Sequence, residues 1–441
     1  MSVSETPASP TPTSVPAASV DGTEAAGTGA VAVVVDGYSA GNFYPAAFAA
    51  LGARVIHAQT TAELIPTMLA PDLTAYESNL VSTDEAELTE LLRAHAPAAV
   101  VPGQESAVQA ADRLSEALGV KSNGTALSPA RRDKYEMIEA LRRAGVRCAD
   151  QFKSDDASLI VKWAEDQGRW PVVVKPLDSA GSDAVFVCQD AGETRTAAES
   201  VLAGRTIFGN ANTEALVQSY LKGTEYIVDT VSADGHQYVC GVWEYEKTLL
   251  PTGRNIYNRD ILVAPDADPV PALIAYVTDV LAALDVRWGP THAEVIVTDE
   301  GPVLVEIATR LNGNLNPAFQ DLCLGHNQAG LAALAYIRPA EFVRTYGGGV
   351  YRKLQSAYTY NAPTALDGVV SAVDREAVAA IDALPSTVVT AVKYKPGSRI
   401  RPTNDLMTAA LRIYLTSSDE ALLTADYERA RALKDAVYQV S

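Results

Sequence analysis

The segment "AEVIVTDEGPVLVEIATRLNGN" carries Glu294 and Glu306, and it is the first place where residue type and spacing point to chemistry. Alternating apolar residues flank "TDEG", so the two runs read as strands of a hairpin, and pairing across that turn brings both carboxylates to one face and the same end. Two carboxylates held together repel unless a cation joins them. Mg²⁺, a hard ion that takes oxygen ligands, suits the pair, with Mn²⁺ as its substitute. Arg310, four residues beyond Glu306, has a planar fork that fits a phosphate or a carboxylate. A second stretch, "PVVVKPLDSAGSDAVFV" from Pro171 to Val187, sets Lys175 beside a loop of small and polar residues, Ser179, Ala180, Gly181, Ser182 and Asp183. Strands at Val172 to Val174 and Val185 to Val187 make this a hairpin. The G-x-x-x-x-G-K-[ST] order of a strand-to-helix phosphate loop is missing, so the loop is suited to fold over phosphates as a flap.

Each piece has a plain alternative. A carboxylate pair on a hairpin can be a solvated rim, Arg310 a surface ion pair, and Lys175 a snorkelling surface lysine. His292, two residues before Glu294, fits a base for an amine or a neutral histidine supporting a metal carboxylate. In "VWEYEKTLLPTGRNIYNRD", Arg254 and Arg259 are candidate carboxylate clamps, or simply part of a solvated loop. "GYSAGN", after the first apolar run, lacks the spacing of a dinucleotide fingerprint and reads as a simple turn between strand and helix.

These residues need elements to hold them. At 441 residues the chain is long enough for two or three domains. Hydrophobic residues at 48% and charged residues at 20% give a globular balance. No apolar run approaches a membrane span. The net charge of -19 opposes binding to nucleic acid. Cys148, Cys188, Cys240 and Cys323 are scattered without a Cys-x-x-Cys pair, which argues against a zinc site or a disulfide frame. Residues 1–29 hold Glu5, Asp21 and Glu24 but no Lys or Arg. That composition predicts a disordered tail without the basic start and apolar middle of a secretory signal, hence a cytoplasmic protein. From Ala30, apolar strands alternate with helical spacing, and the pattern predicts a parallel-sheet α/β domain over residues 30–128. "SPARRDKYEMIEALRRAGV" follows as a helix with Ser128 as its cap and Pro129 in its first turn. Later segments alternate as antiparallel strands, with "SADG" and "TDEG" as hairpin turns, and from Gly347 the pattern is that of a small α+β subdomain.

In this order, "RRDKYEMIEALRRAGV", "VVVKPLDSAGSDAV", "LVQSYLKGTEYIVD", "THAEVIV" and "LVEIATRLNGN" resemble the ATP-grasp superfamily, and within it the carboxylate-amine ligases of the dipeptide-forming L-amino-acid ligase branch. The resemblance runs from about residue 30 to the end of the chain. It implies an N-terminal domain preceding the ATP-grasp fold, a small lid over residues 129–212, a large metal-bearing part over 213–345 and a C-terminal α+β subdomain over 346–441. By the same resemblance, Lys134 and Lys175 hold the α and β phosphates of ATP, and Ser179 to Asp183 form the flap. Gln218, Ser219, Tyr220 and Leu221 present backbone groups to adenine, and Glu225 stands near the ribose. Glu294 and Glu306 bind Mg²⁺, Arg310 and the Gly313 loop face an acyl phosphate, and Glu105 lies near the incoming amine. The implied activity is ADP-forming amide synthesis from a small carboxylic acid, such as an amino acid, and an amine, carried out by a homodimer. The alternatives are another ATP-grasp reaction, of carboxylase or purine-pathway type, and a nucleotide-binding module without turnover. Two positions depart from the family pattern: Ala308 stands where many relatives carry Asn, and Ala184 where the flap usually has glycine.

Overall fold

The computed structural model describes residues 29–65, 68–178, 184–206, 209–249, 255–404 and 408–441. The expected tail, apart from Gly29, lies outside the described residues, as do the flap positions Ser179 to Asp183 and Arg254.

Strands β1 (Val31–Val35), β2 (Arg54–Gln59), β3 (Ser78–Val81) and β4 (Ala99–Pro102) form a four-stranded sheet in the order β3-β2-β1-β4, with all pairs parallel. The run VAVVV of β1 is buried along its length because helices cover both faces. Val31, Val33 and Val35 pack with Leu88, Leu92 and Leu114, while Ala32 and Val34 pack with Tyr44, Phe48 and Met137 on the other side. At the C-terminal edge the loops after β1 and β4 touch backbone to backbone. A Cβ on Gly103 would fall 2.5 Å from the Asp36 carbonyl oxygen and the Gly37 Cα, so only glycine lets the loops meet. Glu105 begins a short 3-10 turn directly after this contact, at the edge where open parallel sheets receive ligands.

Strands β5 (Gln151–Ser154), β6 (Val172–Pro176), β7 (Phe186–Cys188) and β8 (Ala215–Ser219) form a second, antiparallel sheet in the order β5-β8-β6-β7. Helices Ala157–Gln167 and Ala191–Ala203 cover the face that carries Val172, Val174 and Val217. By the two-residue period, Val173 and Lys175 point to the opposite face. The helix leading into this sheet starts at Lys134, and its cap is Asp133, whose carboxylate accepts from the backbone N–H groups of Tyr135 and Glu136. Ser128, expected as the cap, instead lies in a preceding turn and donates its hydroxyl to Asp112 at 2.7 Å. The buried Asp112–Arg131 pair next to it accepts the hydroxyl proton in a charge-assisted hydrogen bond, while Asp133 accepts from the helix N–H groups in its place.

The largest sheet joins β9 (Thr224–Ala233), β10 (His236–Leu249), β11 (Asn255–Leu262), β12 (Gly289–Thr298), β13 (Gly301–Ala308) and β14 (Ser356–Ala362) to two strands of the C-terminal segment. That segment contributes β15 (Gly368–Val373), β16 (Thr387–Val392), β17 (Arg399–Ile400), β18 (Leu411–Ser417) and β19 (Tyr438–Val440). The eight-stranded order is β13-β12-β9-β10-β11-β14-β18-β16, so the C-terminal strands extend the sheet that carries the hairpin carboxylates. The β9–β10 turn has Asp234 at φ 49° and Gly235 at φ 81°, two left-handed residues that suit a tight two-residue hairpin. Among the described residues no helix is long and apolar enough to cross a membrane.

Candidate active site

The β12–β13 register pairs Glu294 with Glu306, and the register shifts immediately afterwards, between Glu294 and Val295. A bulge at that point twists the hairpin and aims side chains, a common feature beside reactive sites. Lys134 meets this pair from the helix above: its Nζ lies 2.7 Å from Glu306 Oε2. Lys175 is brought to the same place because the Lys134 backbone N–H donates to the Leu177 carbonyl at 3.1 Å, docking the start of the helix on the end of β6.

The electrostatics tie these groups into one cluster. Burial pushes the Lys175 ammonium down, and the charge of Lys134 pushes it further. Glu306, Glu294 and Glu225 oppose both, and the balance falls at about 8. Burial alone would raise the Glu306 carboxyl, but Lys134, Lys175 and Arg310 outweigh it and hold it down at about 2. Glu225 is buried and ion-paired with Lys247, and it accepts from the Tyr257 hydroxyl at 3.3 Å. Its carboxyl is raised by burial against the pull of Lys247.

Arg310 donates from Nε to Glu105 Oε2 at 2.9 Å, linking the end of β13 to the edge of the parallel sheet. Arg132 approaches the other Glu105 oxygen at 3.7 Å and also pairs with Asp178, at the foot of the flap segment. Glu105 is therefore already held between two guanidinium groups. Gly313 lies in the loop after Arg310, and a Cβ built there meets nothing within 4 Å, so its backbone borders open space. Its neighbours anchor the loop. Asn312 donates from Nδ2 to Asp229 Oδ2 at 2.8 Å, and Asn314 donates from Nδ2 to Asp260 Oδ2 at 3.1 Å.

Asp229 also holds His292, with Nδ1 at 2.8 Å, while His292 Nε2 lies 3.6 Å from Glu294. Burial lowers the His292 imidazole, but the hydrogen bonds to Asp229 and Glu294 more than reverse this and raise it to about 9. Both ring nitrogens of His292 thus face carboxylates, an arrangement that orients the ring beside Glu294.

Gln218 is buried at the end of β8 and donates from Nε2 to Gln151 at 2.9 Å. The Ser219 hydroxyl accepts from the Asp150 N–H at 3.1 Å, Tyr220 is exposed, and Leu221 is half-buried. Ala184, where the flap returns to described chain, sits at φ 50°, a left-handed conformation that glycine would adopt without strain. The structure does not bring Arg259 to the cluster. It pairs with Glu246 and lies 4.5 Å from the ring centroids of Tyr358 and Tyr427, on the opposite side of its strand.

The carboxylates present fit Mg²⁺. Among the described residues no group of three or more His, Cys, Asp or Glu side chains gathers as a metal site. Mg²⁺ is commonly held by one or two carboxylates, with phosphate oxygens and water completing its shell, and Glu294 with Glu306 supply that number. Ala308 is buried opposite His292 and offers no oxygen from its side chain.

Asp229, Asn312 and Asp260 were not candidates from sequence. The signals existed, an aspartate inside the apolar run "YIVDTV" and two asparagines flanking Gly313, but neither says which strands become neighbours.

A lysine-bearing hairpin set over a carboxylate-bearing sheet offers cations and metal-binding oxygens to one place, a combination suited to a phosphate chain. Residues 168–317 match the family described as ATP-grasp domain. Dapdiamide A synthase from Enterobacter agglomerans is 31% identical over 420 residues, which span 93% of this chain and 97% of that protein. Among solved structures, the L-amino acid ligase from Bacillus licheniformis aligns with a TM-score of 0.72 at 17% identity, over 93% of this chain and 98% of the ligase. Carboxyaminoimidazole ribonucleotide synthase from Aspergillus clavatus, complexed with ATP, aligns with a TM-score of 0.69 at 14% identity, over 93% and 99%. The chain belongs to the ATP-grasp superfamily, among its carboxylate-amine ligases. Its class is that of ATP-dependent enzymes that form amide bonds.

Proposed function

We propose that the protein is an ADP-forming ligase that activates a small carboxylic acid, such as an amino acid, as an acyl phosphate and transfers the acyl group to an amine. The observation that carries this is the convergence of Lys134, Lys175 and Arg310 on Glu306, a carboxylate held down at about 2 by their charges. Such a cluster is suited to a polyanion. Lys134 can move from Glu306 to phosphate oxygens, Lys175 would meet them from the end of its strand, and Glu294 and Glu306 would hold Mg²⁺. When bound, the metal neutralises charge on the transferring phosphoryl group.

The substrate carboxylate attacks the γ-phosphorus, the bond to the β-phosphate oxygen breaks, and ADP leaves. The amine nitrogen then attacks the acyl carbon, inorganic phosphate departs with its bonding pair, and one proton is lost from the amine. Arg310, fixed by Glu105, would hold the acyl phosphate and the oxyanion of its tetrahedral successor. The backbone of the Gly313 loop, which borders open space three residues after Arg310, would face the same acyl phosphate. His292 keeps Glu294 and Asp229 in place. Glu105, held by two arginines, acts on the amine through the position of Arg310. The similarity to dapdiamide A synthase supports amide bond formation, and the family resemblance supports an amino-acid substrate and a cytoplasmic homodimer.

The test is a matrix of amino acids and small acids with ATP and Mg²⁺, scored for amide products by mass spectrometry and for nucleotides by chromatography. ADP and inorganic phosphate are expected in step with amide. A pool dominated by AMP and pyrophosphate overturns the mechanism, because it would require attack at the α-phosphate.

A further inference from the structure

The polar face of the large sheet does not end at Asp260. In register, Asp260 on β11 pairs with Thr359 on β14, and Thr359 pairs with Tyr414 on β18. Two residues along, Asn361 pairs with Arg412, so by the two-residue period Arg412 lies on the face that carries Asp260. The contacts are continuous. Asn361 donates from Nδ2 to Asp260 Oδ1 at 3.3 Å, and Arg412 donates from Nε to Asn361 Oδ1 at 3.1 Å. Asn361 is 1% exposed and Asp260 2%, so both amide and carboxylate are built into the sheet.

Arg412 is the cation at the far end of this row. It is half-buried, and among the described residues it forms no ion pair with a carboxylate. Asp260 is a poor counterion. Asn361 stands between the two groups, and burial raises the Asp260 carboxyl to about 7 against the hydrogen bond from Asn314 and the charge of Arg412, which leaves it partly neutral. A half-buried guanidinium that, among the described residues, has no ion-paired carboxylate is suited to receive one from a ligand.

The loop that carries Arg310 leads to this place. Arg310 is at one end, and Asn314, whose carbonyl accepts from the Tyr414 hydroxyl at 3.0 Å, is at the other. Arg310 and Asn314 are four residues apart, a span of at most ~14 Å, and Asn314 touches both Asp260 and Tyr414, the residues in the row that ends at Arg412. If the amine is an amino acid, it brings a carboxylate of its own. That carboxylate must be kept from the γ-phosphate, or it would be phosphorylated in its turn.

Resting on the proposed ligase reaction with an amino acid as the amine, we infer that Arg412, aligned by Asn361, is the residue that binds the free carboxylate of that amine substrate. The planar fork meets the carboxylate, leaving the amino group turned towards the acyl phosphate at Arg310. Arg412 is a binding residue and takes no part in bond making.

The test compares acceptors that differ only in this carboxylate. Wild type, Arg412→Met and Arg412→Lys are assayed with ATP, Mg²⁺ and the twenty protein L-amino acids in pairs, and then with the same acceptors as carboxamides. Wild type should prefer the free acid as acceptor. Arg412→Met should raise the KM for that acceptor at least ~10-fold, abolish the preference for acid over carboxamide, and leave the KM for ATP unchanged. Arg412→Lys, which keeps the charge but loses the fork, should recover part of the preference. A purely structural arginine would lower turnover of acid and carboxamide alike, in step with a fall in Tm. Ligation by Arg412→Met with the preference intact, or equal use of acid and carboxamide by wild type, overturns this inference and leaves the ligase reading standing. Release of ADP without amide from any pair overturns the ligase reading and the inference with it.

Discussion

The two ends of the cleft share one sheet but are built from different interactions. At the phosphate end, full charges face one another: Lys134 on Glu306 at 2.7 Å, with Lys175 and Arg310 in the same field. At the other end, side-chain amides share in holding the carboxylates, Asp229 between Asn312 and His292 and Asp260 between Asn314 and Asn361. Ion pairs between mobile ammonium and carboxylate groups can exchange partners when a phosphate chain arrives. An amide held to a buried carboxylate gains nothing by exchanging, because it would leave an unpaired acceptor behind. The difference teaches that one end is arranged to reorganise around charge and the other to keep its shape.

The sharpest way to break that contrast is at Glu306. Glu306→Gln removes the charge on which the cations converge and one of the carboxylates for metal, while the amide remains nearly isosteric. Turnover should fall at least ~10²-fold with the fold retained, as measured by ADP release beside a thermal melt. Normal turnover at ordinary Mg²⁺ would show that the phosphate end lies elsewhere. Asn312→Ala probes the other end and should produce the opposite signature. Asp229 is 1% exposed, and losing the amide leaves Oδ2 without its partner. A loss of about 1–3 kcal/mol in unfolding free energy is expected, seen as a lower Tm. The KM for ATP should stay within about twofold. A tenfold rise in that KM would mean that the two ends are not separable.

How much of this is legible in sequence depends on chain distance. The β12–β13 hairpin can be read because its turn at "TDEG" sets which residues face each other, and Glu294 with Glu306 follow from one local register. Lys175 and its hairpin are equally local. The N-terminal parallel sheet is readable because a strand buried on both faces is a continuous apolar run, as in VAVVV. Asp229, Asp260, Asn361 and Arg412 are spread from β9 to β18, and only the strand order makes them neighbours. Arg259 and Asp260 show the limit most plainly. They are adjacent in sequence, yet one is spent between Tyr358 and Tyr427 and the other faces Asn314. A local pattern shows that such residues alternate, but not which face meets the site. The helix cap misread at Ser128 has a similar origin, because the buried pair that captures its hydroxyl includes Asp112, from a helix earlier in the chain.

The smallest effect expected is a proton. Lys175 is 4% exposed, and burial together with the charge of Lys134 brings its ammonium down to about 8 despite Glu306, Glu294 and Glu225. The folded protein without nucleotide therefore holds this lysine partly neutral at mildly alkaline pH. A phosphate chain beside it favours the charged form and moves its pKa back up, so binding must take up a proton wherever the free enzyme has lost one. At about pH 6.5 the lysine is already charged and uptake should be near zero. At about pH 8.5 it should reach about three-quarters of a proton per site and approach one above pH ~9, with affinity for nucleotide weakening by up to about tenfold for each further pH unit. Calorimetric titration with a non-hydrolysable ATP analogue, in two buffers of different ionisation enthalpy, reads the uptake directly. Lys175→Met should abolish the alkaline uptake and leave the value at pH 6.5 unaltered. Uptake that persists in the variant would assign the proton to another group, and the phosphate end would then owe its responsiveness to something other than this lysine.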